Sequence, residues 1–221
     1  MPRDNHPRER QARALARKRG NRPPYDRILI VTEGRKTEPL YFDDIRQQNR
    51  VPTAHIMIIP GDGTEPLEIV DTAWNRFLEE KAFEWVFAVF DRDRHRTYHA
   101  ALERAAALDR SVVNDEGRSV RFVAVPSVPC FELWLLLHFQ EVHSFWDHRE
   151  VIRFLRQHLR GYEKGAEGIY AQTEPSLQQA LQRAQRLKAR FTPESGTVPY
   201  TGVDDVVTRL RSIRGAHNGQ H

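Results

Sequence analysis

Three carboxylates, Glu33, Asp91 and Asp93, stand at the ends of two short apolar runs and are the side chains here best suited to chemistry. Glu33 follows Arg27-Ile28-Leu29-Ile30-Val31-Thr32 and precedes Gly34, while the aspartates close Trp85-Val86-Phe87-Ala88-Val89-Phe90-Asp91-Arg92-Asp93. Carboxylates gathered at one place repel each other unless a cation lies between them or one stays protonated. All-oxygen ligation, with no neighbouring cysteine or histidine triad, suits Mg²⁺ or Mn²⁺ better than Zn²⁺. Phosphodiester cleavage is the reaction that best uses such a cluster, because hard cations neutralise phosphate oxygens and acidify water. Alternate residues on extended backbone face the same way, so Asp91 and Asp93 can reach one ion after a slight turn. Glu33 is a ligand or, if like-charged neighbours raise its pKa, a general base. The plain structural reading is that Asp91-Arg92-Asp93-Arg94 is a solvated, self-paired charge run ending a strand.

Both apolar runs are short, β-branched or aromatic, and bounded by turn residues or charge, the pattern of strands. Being continuous rather than alternating, they predict strands covered on both faces, as in a parallel sheet. Their carboxyl ends then share the rim where open α/β sheets bind ligands. Leu40, Tyr41, Phe42 and Ile45 predict a helix over 37–48, and His55 to Ile59 a second buried strand. Gly61-Asp62-Gly63-Thr64 is a turn, with Thr64 capping a helix through Leu67, Val70, Trp74, Phe77 and Leu78. Such a loop can hold phosphate on free N–H groups, but it lacks a Walker lysine or GxGxxG. A third strand over 85–90, a helix from Tyr98 to Asp109, and a fourth strand over 120–125 complete four strand–helix alternations. That alternation predicts a right-handed α/β structure in which the first and third strands are neighbours. Pro129 is placed to open a helix through Phe139, with Glu132 in its first turn, where a carboxylate suits the macrodipole. Trp134 to Phe139 is predicted core.

From Asp147 onward the pattern is helical, through Val151, Ile152, Phe154, Leu155 and Leu159, then Leu177, Leu181, Ala184 and Leu187, then Val203, Val206, Val207 and Leu210. The stretch from Gly161 to Gly168, holding Lys164, is a flexible turn. Arg183, Arg186, Lys188, Arg190, Arg209, Arg211 and Arg214 make this end basic, mostly as solvated helix faces. His95 and His99 are one helical turn apart; with no third ligand in view they are read as exposed. A DxD phosphatase is disfavoured, since His95 stands where that motif carries threonine.

A strand ending in Glu-Gly, followed later by one ending in Asp-x-Asp, resembles the Toprim domain of topoisomerases, primases and OLD-type nucleases. More closely, Val31-Thr32-Glu33-Gly34-Arg35-Lys36-Thr37-Glu38-Pro39, Phe90-Asp91-Arg92-Asp93 and Pro129-Cys130-Phe131-Glu132-Leu133-Trp134-Leu135-Leu136-Leu137-His138-Phe139 resemble the RloB-like family of bacterial phage-defence and restriction-linked proteins. Pro199-Tyr200-Thr201-Gly202-Val203 is similar to a Thr-x-Val step near the end of such chains. With the strand pattern, the resemblance implies a Toprim-like, doubly wound, mainly parallel four-stranded sheet flanked by helices, with a C-terminal helical extension. The expected divisions are a basic, disordered tail (1–24), the Toprim-like domain (25–145), the helical extension packed on it (146–214) and a frayed end (215–221). It further implies a Mg²⁺-dependent nuclease acting in anti-phage defence, with an ATPase companion. Glu38 and Glu132 become further metal-ligand candidates, and Lys164 joins Glu33, Asp91 and Asp93 as a catalytic candidate. Arg35 and Lys36 are candidates for stabilising negative charge and, with Arg92, Arg17, Lys18 and Arg19, for contacting nucleic acid. A competing reading is a non-catalytic subunit that binds metal or nucleic acid and docks on the ATPase.

The chain has 221 residues and a net charge of +4. Residues 1–22 hold eight Lys/Arg against Asp4 and Glu9, so the remainder is net −2. The basic tail is a candidate phosphate-contacting arm or a solubilising extension, and the body is not a basic nucleic-acid surface. The single cysteine, Cys130, excludes an internal disulfide and fits a reducing compartment. The charged N-terminus lacks a signal-peptide pattern, and the longest apolar stretch, Leu133 to Phe139, is too short to span a bilayer. A soluble cytoplasmic protein without a membrane contact is expected; self-association is left open.

Overall fold

The computed structural model describes residues 26–93 and 95–213. The basic tail with Arg17, Lys18 and Arg19, and the stretch after Ile213, lie outside the described residues. Strands β1 (Ile28–Thr32), β2 (Ile56–Pro60), β3 (Trp85–Asp91) and β4 (Arg121–Val128) pair in parallel, and β5 (Tyr200–Thr201) joins antiparallel to β4. The strand order is β2-β1-β3-β4-β5. The fold class is therefore α/β with a mostly parallel sheet, and β1 and β3 are neighbours as the strand pattern predicted. The switch in winding direction falls between these two strands, which opens a crevice outside their carboxyl ends.

Continuous apolar strands follow from burial on both faces. Ile28, Ile30, Phe87 and Val89 enter one core, while Leu29, Val31, Val86, Ala88 and Phe90 enter the other. The second core is closed by helices α2 (Pro66–Glu80) and α3 (Tyr98–Leu108) through Val70, Ala73, Phe77, Tyr98, Ala101 and Ala105. The first is closed by α1 (Thr37–Gln48) and by α4 (Glu132–Leu136), α5 (His148–His158), α6 (Ile169–Thr173), α7 (Leu177–Arg190) and α8 (Val203–Ser212). Trp134 is fully buried at its centre, where its indole N–H donates to the Tyr41 hydroxyl at 2.9 Å.

Four local expectations change. The sheet gains its fifth strand because the exposed side of β4 takes up Tyr200–Thr201, and Gly202 N–H donates to the Pro126 carbonyl at 2.9 Å. That acceptor explains why Pro126 does not end β4: a proline lacks the donor, not the carbonyl. The helix expected from Pro129 to Phe139 is only Glu132–Leu136. Beyond it the chain makes a tighter turn, with His138 N–H on Leu135 O at 3.2 Å and Phe139 N–H on Leu136 O at 2.9 Å. Side chains assist: His138 Nδ1 lies 3.1 Å from Trp134 O and 3.2 Å from Leu135 O, and Arg183 donates to Leu137 O at 2.7 Å. The cap of α2 is Glu65 rather than Thr64, in a reciprocal capping box with Glu68. Glu68 Oε2 also accepts the Thr64 and Glu65 N–H groups at 3.1 Å each, and Gly61 and Asp62 donate to Thr32 O and Thr72 Oγ1, so the Gly61–Thr64 loop is a strand-to-helix turn with most of its donors used. Several basic residues of the C-terminal helices are internally paired rather than merely solvated, Arg186 with Glu141, Lys188 with Asp204 and Asp205, and Arg209 with Asp26.

Candidate metal centre

Parallel pairing sets Thr32 opposite Val89, so β1 and β3 end side by side. The ladder extends one step further, with Glu33 N–H donating to Val89 O at 2.9 Å. The Glu33 side chain then crosses to β3, where Oε2 accepts the Asp91 N–H at 2.9 Å. Its Oε1 lies 3.2 Å from His95 Nε2, and His95 Nδ1 lies 3.3 Å from Glu65 Oε1. Thr97 Oγ1 donates to Glu65 Oε2 at 2.7 Å. His95 is thus half-buried between two carboxylates and not exposed. His99 faces the Glu194 carbonyl at 2.8 Å, so the two histidines do not form a pair.

Two more carboxylates approach from helix starts. Glu38 lies in the first turn of α1 and Glu132 is the first residue of α4; both are buried. Gly34 makes room for Glu38: a Cβ there would lie 1.9 Å from Glu38 Oε2. The Glu-Gly step thus leaves the space that the Glu38 carboxylate occupies, and a side chain at Gly34 would displace that carboxylate. Asp91 is half-buried, and its pKa is pushed well up, first by burial and then by the negative charge of Glu38, Glu132 and Glu33. Burial, with the charges of Glu132 and Glu33, raises Glu38 to about 7. Burial also raises Glu33, against the Asp91 N–H and His95, and Asp93 adds to the rise. Lys164 is the counter-charge: despite burial that works against it, Glu132 and Asp91 raise its pKa.

Lys164 is held near the acids by its own loop. Gly165 N–H donates to Thr37 Oγ1 at 2.9 Å, and Gly165, at φ +81°, packs against the Lys36 side chain. Glu33, Glu38, Asp91, Glu132 and Lys164 are therefore brought into one electrostatic group. Asp93 is exposed at φ +28°, its N–H donating to Pro129 O at 3.2 Å, and its charge is felt at Glu33. Arg35 and Lys36 are exposed beside the β1–α1 loop. Arg92 packs inward, its guanidinium 4.9 Å from the Tyr98 ring centre and Nη1 donating to His95 O at 2.9 Å.

Glu132 has partners the sequence did not signal. Tyr162 donates to Oε1 at 3.3 Å, and Lys164 Nζ lies 3.6 Å from the same oxygen. Oε2 is buried without a hydrogen-bond partner and lies 4.0 Å from His148 Nε2. Ligand atoms of Cys130, Glu132 and His148 all fall within 4.8 Å of one another, a group that can hold a metal ion. The Cys130-x-Glu132 spacing is visible in sequence and Glu132 is a ligand candidate there, but one cysteine two residues away does not by itself predict a joint site. Nothing local ties His148, Tyr162 or Glu65 to the rim.

The fold and rim define an α/β protein with a carboxylate-rich crevice at the ends of its central parallel strands. The profile of RloB-like proteins matches residues 28–210, and the chain belongs to that family. Comparison with curated proteins and with solved structures gave no match. Among the described residues, no helix is long and apolar enough to cross a membrane.

Proposed function

We propose that the chain is a Mg²⁺- or Mn²⁺-dependent nuclease of the Toprim type, cleaving nucleic-acid phosphodiesters as an effector of anti-phage defence with an ATPase companion. The observation that carries the reading is the convergence of Glu33, Glu38, Asp91 and Glu132 on one crevice, with Lys164 as the counter-charge and the pKa values of Glu33, Glu38 and Asp91 raised first by burial and then by neighbouring negative charge. Oxygen donors in excess of positive charge fit a hard divalent cation. The orphaned Glu132 Oε2 supports the same reading. Glu33, Asp91, Glu38 and Glu132 would hold the cation, with Asp93 reaching the same rim from its exposed turn. Bound there, such a cation supplies Lewis-acid stabilisation of charge on phosphate and acidifies water.

The protein's own groups orient the rest. Asp91 N–H and His95 fix both oxygens of Glu33, which keeps that carboxylate aimed across the β1–β3 boundary. Lys164, whose side chain is largely exposed, is available to offset negative charge on a phosphate as well as on Glu132. Arg35 and Lys36 flank the entrance as phosphate contacts. The ATPase partner and the defence setting come into this reading from the resemblance of the sequence motifs alone.

The test is Asp91→Asn, assayed for Mg²⁺-dependent cleavage with the companion present and for metal-free melting temperature. Cleavage should fall to background while stability is kept or improved, because a repelling charge is gone. A destabilised variant that still cuts would return Asp91 to a structural role.

A further inference from the structure

The geometry points to a second kind of cation site: Cys130 Sγ, Glu132 Oε2 and His148 Nε2 together bind a borderline transition metal of the Zn²⁺ class, not Mg²⁺. The three donors come from the β4–α4 loop, the start of α4 and the start of α5, and lie within 4.8 Å of one another. Donors around a tetrahedral zinc ion stand about 3.3–3.7 Å apart. The 4.0 Å between His148 Nε2 and Glu132 Oε2 is a few tenths from that range.

Two features argue for a built site. Glu132 is 2 % exposed, and its oxygens are divided: Oε1 takes Tyr162 and Lys164, while Oε2 has no hydrogen-bond partner among the described residues. A buried, unpaired carboxylate oxygen is costly, and a cation satisfies it. The backbone that carries the imidazole is also fixed. His148 follows the N-cap Asp147, whose Oδ1 accepts Glu150 N–H at 2.9 Å while Glu150 Oε2 accepts Asp147 N–H at 3.0 Å.

The donor set selects the metal. Sulfur is a poor ligand for Mg²⁺, whereas Cys, His and a single carboxylate suit Zn²⁺ and its neighbours in the first transition series. Three protein donors leave the fourth tetrahedral position open, as in catalytic rather than structural zinc sites. Glu132 belongs also to the acidic group, since its charge is felt at Asp91 and Glu38. A metal on Cys130 and His148 therefore withdraws Glu132 from the hard-cation set, so Zn²⁺ antagonises Mg²⁺-dependent cleavage. That last consequence rests on the nuclease reading; the site itself does not.

Titration of the reduced full-length chain with Co²⁺, as a spectroscopic probe for Zn²⁺, tests the site directly. The expected result is a thiolate-to-cobalt charge-transfer band in the near ultraviolet, displaced by equimolar Zn²⁺ and by Mg²⁺ only in large excess. Cys130→Ser should abolish the band. Because that residue is buried, His148→Asn is the companion variant; it should weaken Co²⁺ and Zn²⁺ binding roughly tenfold or more, with an unchanged melting curve. Asp91→Asn should keep the band, which separates this site from the hard-cation site. Co²⁺ binding without the thiolate band, no Co²⁺ binding, or full affinity in His148→Asn would each overturn the proposal and leave the nuclease reading standing.

Discussion

Some buried ionisable side chains in this chain face one another across the acidic crevice, and others, such as Asp204 with Lys188, pair with an opposite charge. His138 does neither. It is 2 % exposed against Trp134, with Nδ1 on two helix carbonyls and Nε2 unpartnered. Burial pushes its pKa down to about 4, against carbonyl contacts that favour the protonated ring. An unfolded histidine titrates near 6.5, so between about 4 and 6.5 the unfolded chain binds the extra proton. Stability present above that window is lost as pH falls through it, by roughly 3 kcal/mol at most. His138→Phe removes this contribution. Urea unfolding from about pH 7 down to about pH 4.5 should show the parent's free energy falling relative to the variant's. Parallel curves would mean that the ring does not titrate with folding.

At the scale of elements, helix α5 shows how a surface cap can serve a buried site. Its apolar face buries Val151 and Leu155, while Asp147 and Glu150 close the first turn reciprocally. The cap fixes the backbone from which His148 reaches Glu132. Asp147→Ala should cost about 1 kcal/mol of stability, seen as a lower urea midpoint at unchanged slope. A variant as stable as the parent would show that the cap hydrogen bonds are replaced by water at no cost. The Lys164 loop is positioned in the same manner, through Gly165 N–H on Thr37 rather than through packing of Lys164 itself.

For the whole molecule, charge is divided between a net-negative body and a basic segment at residues 1–22. On the proposed nuclease reading an acidic crevice receives a polyanion, so attraction has to come from elsewhere on the chain. Deleting residues 1–22 should leave the melting temperature unchanged and weaken binding of nucleic acid, with a shallower dependence of affinity on salt, because fewer counterions are released. Affinity measured at two salt concentrations in a cleavage-deficient background checks this. Equal affinities with and without the segment would assign phosphate contacts to the body, with Arg35 and Lys36 as first candidates.

Sequence by itself determined the parallel sheet, the neighbouring β1 and β3, and the placement of Glu33 against Asp91. These follow from local signals: unbroken apolar runs, strand–helix alternation, and acids at strand ends. It also carried the family, through motifs long enough to be specific. The pairing of Tyr200–Thr201 with β4 was not legible, since two residues have no periodicity and their partner was decided by an open sheet edge. Asp93 turned outward because its peptide follows Pro129 rather than the strand, and Arg92 turned inward onto Tyr98. Glu132 was visible as a helix-start acid, but its company of Cys130, His148, Tyr162 and Lys164 was not. Those side chains meet only because α5 and the Lys164 loop fold back over the crevice, and contacts between distant segments leave no mark on local spacing.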